Sequence, residues 1–483
     1  MIDNDSMKVG KGEFYIVVLC LFEFIGMYLA YSFSLELTYF QMAISSILQI
    51  IFNLLILKFF VKLKIISIPN LFALFAFIFH CGQFIKMGFN IEGTDYFPLD
   101  LYAANSTIQQ AFYFYIFSQI FYTIGVGISS KNKRYKNLQK LSNKLPMNAG
   151  FTGKLLVIIG LIPRLFIDIF QLYVSSKSGY MALFTSKIPQ FVNSLAFFFD
   201  AGFIFLLMNE KNKKKSNVIF GFMIFYKSVT MLSGSRQDKV CFLLIWIYLF
   251  CFVKNKIDLK KMMFVMFIAI IGFFFITSIG AGRVSSNVEF VGIGEYFNNF
   301  ASTLGSSLSE FGSALNTLVI GIRYTPSEIP YGYGLSFVVA VVSCIPLLVA
   351  HIPLLADKAL FLNQLPGSVY HSLGGSYLGE LFYNFGWLGC IACMFIGIVM
   401  NRAHLVVNKK DSDYITTSCF YAVISTAMFL YVRGYITDMG QKLIWLYIVL
   451  YCIRCYENKN RNSKKFRISC RYDRGNIWKK LAL

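Results

Sequence analysis

Predominantly apolar stretches recur along this chain, near 14–34, 40–61, 65–87, 107–129, 152–174, 191–209, 217–233, 240–253, 262–280, 380–401, 414–433 and 441–457. At about 1.5 Å of rise per residue, most are long enough to cross roughly 30 Å of hydrocarbon as helices. A composition 57% hydrophobic and only 14% charged excludes an ordinary soluble globule. The expected fold is an all-α polytopic integral membrane protein of about 12 transmembrane helices, up to about 14 if 300–322 and 335–355 also cross. The first stretch follows a head carrying Lys8 and Lys11. It is longer than the apolar core of a secretory signal and no small-residue cleavage site follows, so it reads as an uncleaved span.

The net charge of +21 is distributed as a membrane protein distributes it, and it does not mark a nucleic-acid partner. Lys131, Lys133, Arg134, Lys136, Lys140 and Lys144 share one connection, Lys211 and Lys213 to Lys215 another, and Lys254, Lys256, Lys260 and Lys261 a third. The segment 454–483 adds ten basic residues against two acids. By the positive-inside rule these connections and both termini are cytoplasmic. The connection near 90–106 has Glu92, Asp95 and Asp100 and no base, which assigns it to the opposite face. One domain, 1–483, is expected, with a basic cytoplasmic tail at 454–483 and a large outer loop region at 281–379.

That loop region is rich in Gly, Ser and aromatics and is expected to hold amphipathic or re-entrant helices. In 299–323, Asn299, Ser302, Ser306, Ser309, Ser313, Asn316 and Arg323 recur at helical spacing opposite Phe300, Leu304, Leu308, Phe311, Leu315 and Val319. The stripe suits either an interfacial helix or one wall of a wet cavity.

Ionisable residues inside spans are expensive and need a use or a partner. Arg164 and Asp168, four apart, can pair on one helical face. Asp200 and Lys227 have no partner at such spacing, and pairing between helices is the expected solution. Three arginines converge on the outer ends of spans: Arg236 in Ser233-Gly234-Ser235-Arg236, Arg283 after Gly282, and Arg433 before Gly434. Guanidinium groups bond phosphate in bidentate fashion, so a lipid-linked diphosphate is the ligand they suit, with Arg323 a fourth candidate. Candidate acid–base groups are Glu380, His371 and Glu310. Ser376, Tyr377, Tyr383 and Asn384 accompany Glu380 on or beside one helix and are candidates to meet sugar hydroxyls. Asp411-Ser412-Asp413 reads as a solvated loop, and Cys390 and Cys393 as packing residues. No P-loop, zinc spacing or dinucleotide fingerprint is present, and no metal or cofactor is expected.

Ser233-Gly234-Ser235-Arg236, Gly282-Arg283, Tyr331-Gly332-Tyr333-Gly334-Leu335 with Ile345-Pro346, and the run from Gly374-Gly375-Ser376 through Glu380 to Gly386 resemble the O-antigen polysaccharide polymerases of the Wzy type. The resemblance covers about 220–400 by motif and the whole chain by topology. It implies a metal-independent, inverting glycosyltransferase of the multi-spanning GT-C-like class in the bacterial inner membrane. Such an enzyme joins undecaprenyl-diphosphate-linked oligosaccharide repeat units at the periplasmic face, alongside membrane lipid and a chain-length regulator protein. Arg236, Arg283 and Arg433 would then hold diphosphate, and Glu380 or His371, with Glu310 in reserve, would take the acceptor proton. The rival enzyme is an O-antigen ligase. A flippase for the same lipid-linked unit is the rival of another class, but no internal repeat of the kind common in transporters is visible.

Overall fold

The computed structural model describes residues 11–33, 36–95, 97–130, 148–178, 182–185, 188–233, 237–255, 300–345, 360–365, 373–409 and 415–481. Among them every regular element is helical. α1 (Lys11–Ser32), α2 (Tyr39–Phe60), α3 (Ile68–Gly88) and α4 (Asn105–Ile128) precede α5 (Ala149–Ser178), α6 (Gln190–Asn209), α7 (Lys213–Thr230) and α8 (Gln237–Tyr248), the last prolonged by a π-helical turn at Leu249–Lys254. Then come α9 (Phe300–Gly312), α10 (Ala314–Tyr324), α11 (Leu335–Val342), α12 (Tyr377–Phe385), α13 (Gly389–Val407), α14 (Ile415–Tyr431) and α15 (Ile436–Leu481). Eight described segments are long and apolar enough to cross a membrane. The expected span 262–280 lies outside the described residues.

Local chemistry sets several of the helix starts. Thr38 and Gln41 form a capping box at α2: the Gln41 N–H donates to Thr38 Oγ1 at 3.3 Å, and the Thr38 N–H to Gln41 Oε1 at 2.9 Å. Pro69 occupies the first turn of α3, where its missing N–H has no partner to lose. Asn212 Oδ1 accepts from the N–H groups of Lys214 and Lys215 at the start of α7.

Without a hydrophobic drive between helices in lipid, close packing depends on small residues. α4 and α13 meet at two glycines: a Cβ on Gly125 would stand 2.0 Å from the Met394 carbonyl oxygen, and one on Gly397 2.2 Å from that of Tyr122. α5 and α6 run antiparallel and equally close, with Gly160 against the Phe199 backbone and Gly202 against Val157. Asn148, at the start of α5, donates its N–H to Glu457 of α15, so both helices reach the same end of the bundle there.

Two expectations about the loop region change. The span expected at 380–401 is two helices, because Gly386 has φ +56° and ψ −141° and ends α12. A Cβ on Gly389 would lie 2.5 Å from the Leu381 carbonyl oxygen. The chain therefore turns between α12 and α13, although Tyr377–Val407 together is long and apolar enough to cross a membrane. The described part of the polar stripe contributes nothing to the cavity lining described below. It breaks at Ser313 into α9 and α10, and α10 is buried from Ala314 to Ile322. Its polar groups pin neighbouring loops: Ser306 Oγ accepts from the Thr94 N–H at 2.9 Å, Asn316 donates to the Phe97 carbonyl at 2.9 Å, and Thr317 to that of Gly374 at 2.6 Å. Lys86 of α3 holds the same 89–104 loop through Asp95 and the Gly93 carbonyl.

Overpacking a close contact costs about 1–3 kcal/mol. Gly397→Ala should lower the thermal midpoint of the detergent-purified protein by several degrees. Gly26→Ala, at a glycine with no heavy atom within 4 Å of the new Cβ, should leave it unchanged.

Candidate functional site

α5 has 30 residues and spans about 45 Å, whereas α7 has 18 and α14 has 17 and each spans about 27 Å or less. A recess opens beside the α14–α15 connection and the start of α8. A cavity of about 370 Å³ occupies the recess, within the range of small-ligand sites. α5 contributes Arg164 and Gln171 to it, α6 Asn193 and Asp200, and α8 Gln237 and Asp238. The α14–α15 connection contributes Tyr431, Arg433, Gly434 and Tyr435, the first two turns of α15 Asp438 and Lys442, and the chain before α12 Gly374 and Gly375.

The floor is an ion-pair network. Arg164 makes a two-pronged bond to Asp168, Nε to Oδ2 at 2.7 Å and Nη2 to Oδ1 at 2.6 Å, and its third nitrogen reaches Asp238 at 3.4 Å. Tyr226 donates its hydroxyl to Asp168. Lys227, fully buried on α7, crosses to Asp200 of α6 at 2.6 Å. Lys239, also fully buried, contacts Asp238 at 3.4 Å and Gln171 at 3.3 Å. Three cations, Arg164, Lys227 and Lys239, thus balance three carboxylates, Asp168, Asp200 and Asp238. At the mouth stand Arg433, Lys442 and Asp438, so the lining itself carries three cations, Arg164, Arg433 and Lys442, and three carboxylates, Asp200, Asp238 and Asp438.

Small residues bring the rest of the chain to this mouth. A Cβ on Gly375 would lie 2.7 Å from the Gly434 backbone, and one on Gly374 3.0 Å from Arg433 Nε. The two glycines are what allow the 373–376 segment to lie against the Arg433-Gly434 connection. The next residue, Ser376, caps α12: its hydroxyl accepts from the Gly379 N–H at 3.3 Å and bonds His80 Nε2 at 2.9 Å. His80 Nδ1 donates to the Ala76 carbonyl, so Nε2 accepts from Ser376.

One turn into α12, Glu380 is 1% exposed and does not line the cavity. Its Oε2 accepts from the Ile436 N–H at 2.9 Å, at the first residue of α15, and the Ser336 and Tyr431 hydroxyls flank it. Asn384 bonds Ser336, the Glu380 carbonyl and the Gly334 N–H. Tyr377 is buried with its hydroxyl toward Gln119, and Tyr383 stacks on Phe361 and accepts from Gln364 at 3.0 Å.

Of the residues singled out from sequence, Arg433 lies in the recess, over the Phe79 ring at 6.0 Å, with its carbonyl held by Gln237. Arg323 is exposed, bonds the Tyr102 carbonyl, stacks on Tyr324 and does not line the cavity. Glu310 is half-buried on α9, also away from the cavity lining. Arg236, Arg283, His371 and Asp411-Ser412-Asp413 lie outside the described residues, although Gln237, next to Arg236, lines the recess. Sequence reasoning missed Asp238, Asp438, Lys442 and His80. A usable signal existed for the first two: each acid follows a candidate arginine within five residues, in the first turn of a helix. Among the described residues no three His, Cys, Asp or Glu side chains are grouped to hold a metal ion.

In comparison with known families, residues 13–465 match the family model described as O-antigen polysaccharide polymerase Wzy. No curated protein and no solved structure matches the chain.

Removing one partner of a buried ion pair costs about 3–5 kcal/mol, whereas replacing both by apolar groups is often nearly neutral. Asp200→Leu should therefore sharply lower the yield and thermal midpoint of the detergent-purified protein. Asp200→Leu combined with Lys227→Met should recover most of both.

Proposed function

The chain belongs to the O-antigen polysaccharide polymerase family, and from that premise we propose that it extends surface polysaccharide at the periplasmic face by transfer between two undecaprenyl-diphosphate-linked molecules. The observation that carries this reading is the charged recess beside the α14–α15 connection, with Arg433 and Lys442 in its lining. The growing chain is the donor, and the incoming unit supplies a hydroxyl. That hydroxyl attacks the anomeric carbon from the side opposite the diphosphate, and the carbon–oxygen bond to diphosphate breaks with inversion.

Diphosphate is a good leaving group, so the step needs charge stabilisation more than a strong acid. A guanidinium already positioned in the recess supplies it at little reorganisation. Arg433, with Arg236 beside Gln237 and Arg283 from the loop region, is assigned to the diphosphate. Arg164 is held by two carboxylates and serves as the fixed positive floor. The polar lining, with Gln171, Asn193 and Gln237, suits the first sugars next to the diphosphate. The charge pattern supports the orientation, because the basic connections lie at the opposite ends of the spans.

The test is the banding of surface polysaccharide in cells whose own copy is deleted. Without the protein, core bearing a single repeat unit should remain. Intact but unattached polymer would instead indicate a ligase, and complete loss of surface units a flippase. Arg433→Ala and Arg236→Ala, at matched expression, should reproduce the single-unit pattern, with polymer reduced at least about 100-fold, as for loss of one transition-state donor. Arg323→Ala should keep a long-chain ladder.

A further inference from the structure

α1 carries a carboxyl group where a membrane helix can least accommodate a charge. Glu23 stands near the middle of the 21-residue apolar span Gly12–Ser32, about 15 Å from either end. An ionised carboxylate at that depth needs a cation beside it, or it gives up its charge by taking a proton.

No cation is in reach. Glu23 enters none of the ion pairs formed among the described residues. α1 packs against α2 and α4. α4 has no Asp, Glu, Lys, Arg or His, and the charged residue of α2, Lys58, stands about 14 Å along the helix from Gln49. The titratable side chains around Glu23 are Cys20, one turn earlier on α1, and Tyr113 of α4, whose ring meets Tyr31. Neither can supply a positive charge.

What faces Glu23 instead is a pair of amides. Gln49, midway along α2, is 5% exposed and its side chain interacts with Glu23, and Asn53, one turn on, is 1% exposed. Phe24 sets the position of α1 by packing on Phe117 and Phe121 of α4, with ring centres 4.9 and 5.8 Å apart. Gln49 Nε2 donates to Asn53 Oδ1 at 3.5 Å, so Gln49 keeps an oxygen that can accept and Asn53 an amide nitrogen that can donate. Two buried atoms of this group have no hydrogen-bond partner among the described residues, Asn53 Nδ2 and Glu23 Oε2. An orphan N–H donor in the group speaks against a metal cation, which would need oxygens there. A protonated carboxyl fits, because its O–H can donate to Gln49 and its other oxygen can accept from Asn53.

We propose that Glu23 is a proton-binding site in the middle of the first span, and that the neutral carboxyl seats α1 against Gln49 and Asn53 of α2. Neither α1 nor α2 contributes to the lining of the recess. The site is therefore separate from the recess, and the proposal needs no part of the glycosyl-transfer reading.

The test uses the full-length chain in phosphatidylcholine vesicles at pH 7 and the lipid-soluble reagent dicyclohexylcarbodiimide. A protonated carboxyl adds across the carbodiimide: its oxygen bonds the central carbon, its proton passes to a nitrogen, and the adduct rearranges to a stable N-acylurea. Peptide mass spectrometry reads each carboxyl separately. An exposed carboxylate holds a proton only about one five-hundredth of the time at pH 7, so Glu23 should be labelled at least about tenfold more than the exposed Glu92 and Glu328. Excess sodium should not protect it. Glu23→Gln, neutral and of nearly the same shape, should keep the wild-type thermal midpoint, whereas Glu23→Leu and Asn53→Leu, which each leave a buried polar group unmatched, should lower it by several degrees.

Labelling of Glu23 no stronger than that of Glu92 in the folded wild type overturns the proposal. Protection by sodium overturns it as well, because that result marks a metal-cation site. A Glu23→Gln midpoint as low as that of Glu23→Leu, or a Glu23→Gln chain that does not fold, shows that the charge itself is needed and also overturns it.

Discussion

Arg164 is anchored inside the bundle by two short bonds to Asp168 and a longer reach to Asp238, and the recessed end of the molecule is organised around that pairing. A charge in a membrane interior must be matched or hydrated. Here three cations meet three carboxylates from four helices, α5 to α8, so those helices are tied together where their ends would otherwise part. Arg164, Asp200 and Asp238 of this network line a cavity. The connection at Arg433 and Gly434 closes over it, held from the side by the Gly374-Gly375 segment and from behind by Glu380.

What the sequence made legible follows from the range of each interaction. The Arg164–Asp168 pair could be read directly because four residues on a helix fix the geometry. Spans were legible for the same reason, since apolar length is a local property; nine of the expected stretches appear as helices within a few residues and 441–457 lies within the longer α15, while 380–401 divides into two helices and 262–280 is not described. Asp200 and Lys227 are 27 residues apart on different helices, so their need for partners was readable but their mutual pairing was not. The α12–α13 turn was hidden because an apolar run on both sides of Gly386 carries the signal of one continuous span. Only the backbone conformation of that glycine separates the two helices.

The motif around Glu380 shows how residue type can be read correctly and its neighbours missed. A carboxylate at that depth suggests acid–base chemistry, and desolvation makes it conspicuous. In the fold it faces the start of α15, where it accepts the Ile436 N–H. The polar stripe is a parallel case. Its serines and asparagines suit an interfacial helix or a wet cavity wall, and in the fold Asn316 and Thr317 place hydrogen bonds on the Phe97 and Gly374 carbonyls, fixing loops near the site.

The central claim is that the recess at Arg433 receives the lipid diphosphate. The most direct measurement is a cryo-electron microscopy map of the full-length protein with the extracted undecaprenyl-diphosphate-linked unit bound. The account predicts diphosphate density within hydrogen-bonding distance of the Arg433 guanidinium, with the sugars running into the cavity. Diphosphate seated elsewhere, beside Arg323 or at the basic end of the bundle, with the recess empty, would contradict it.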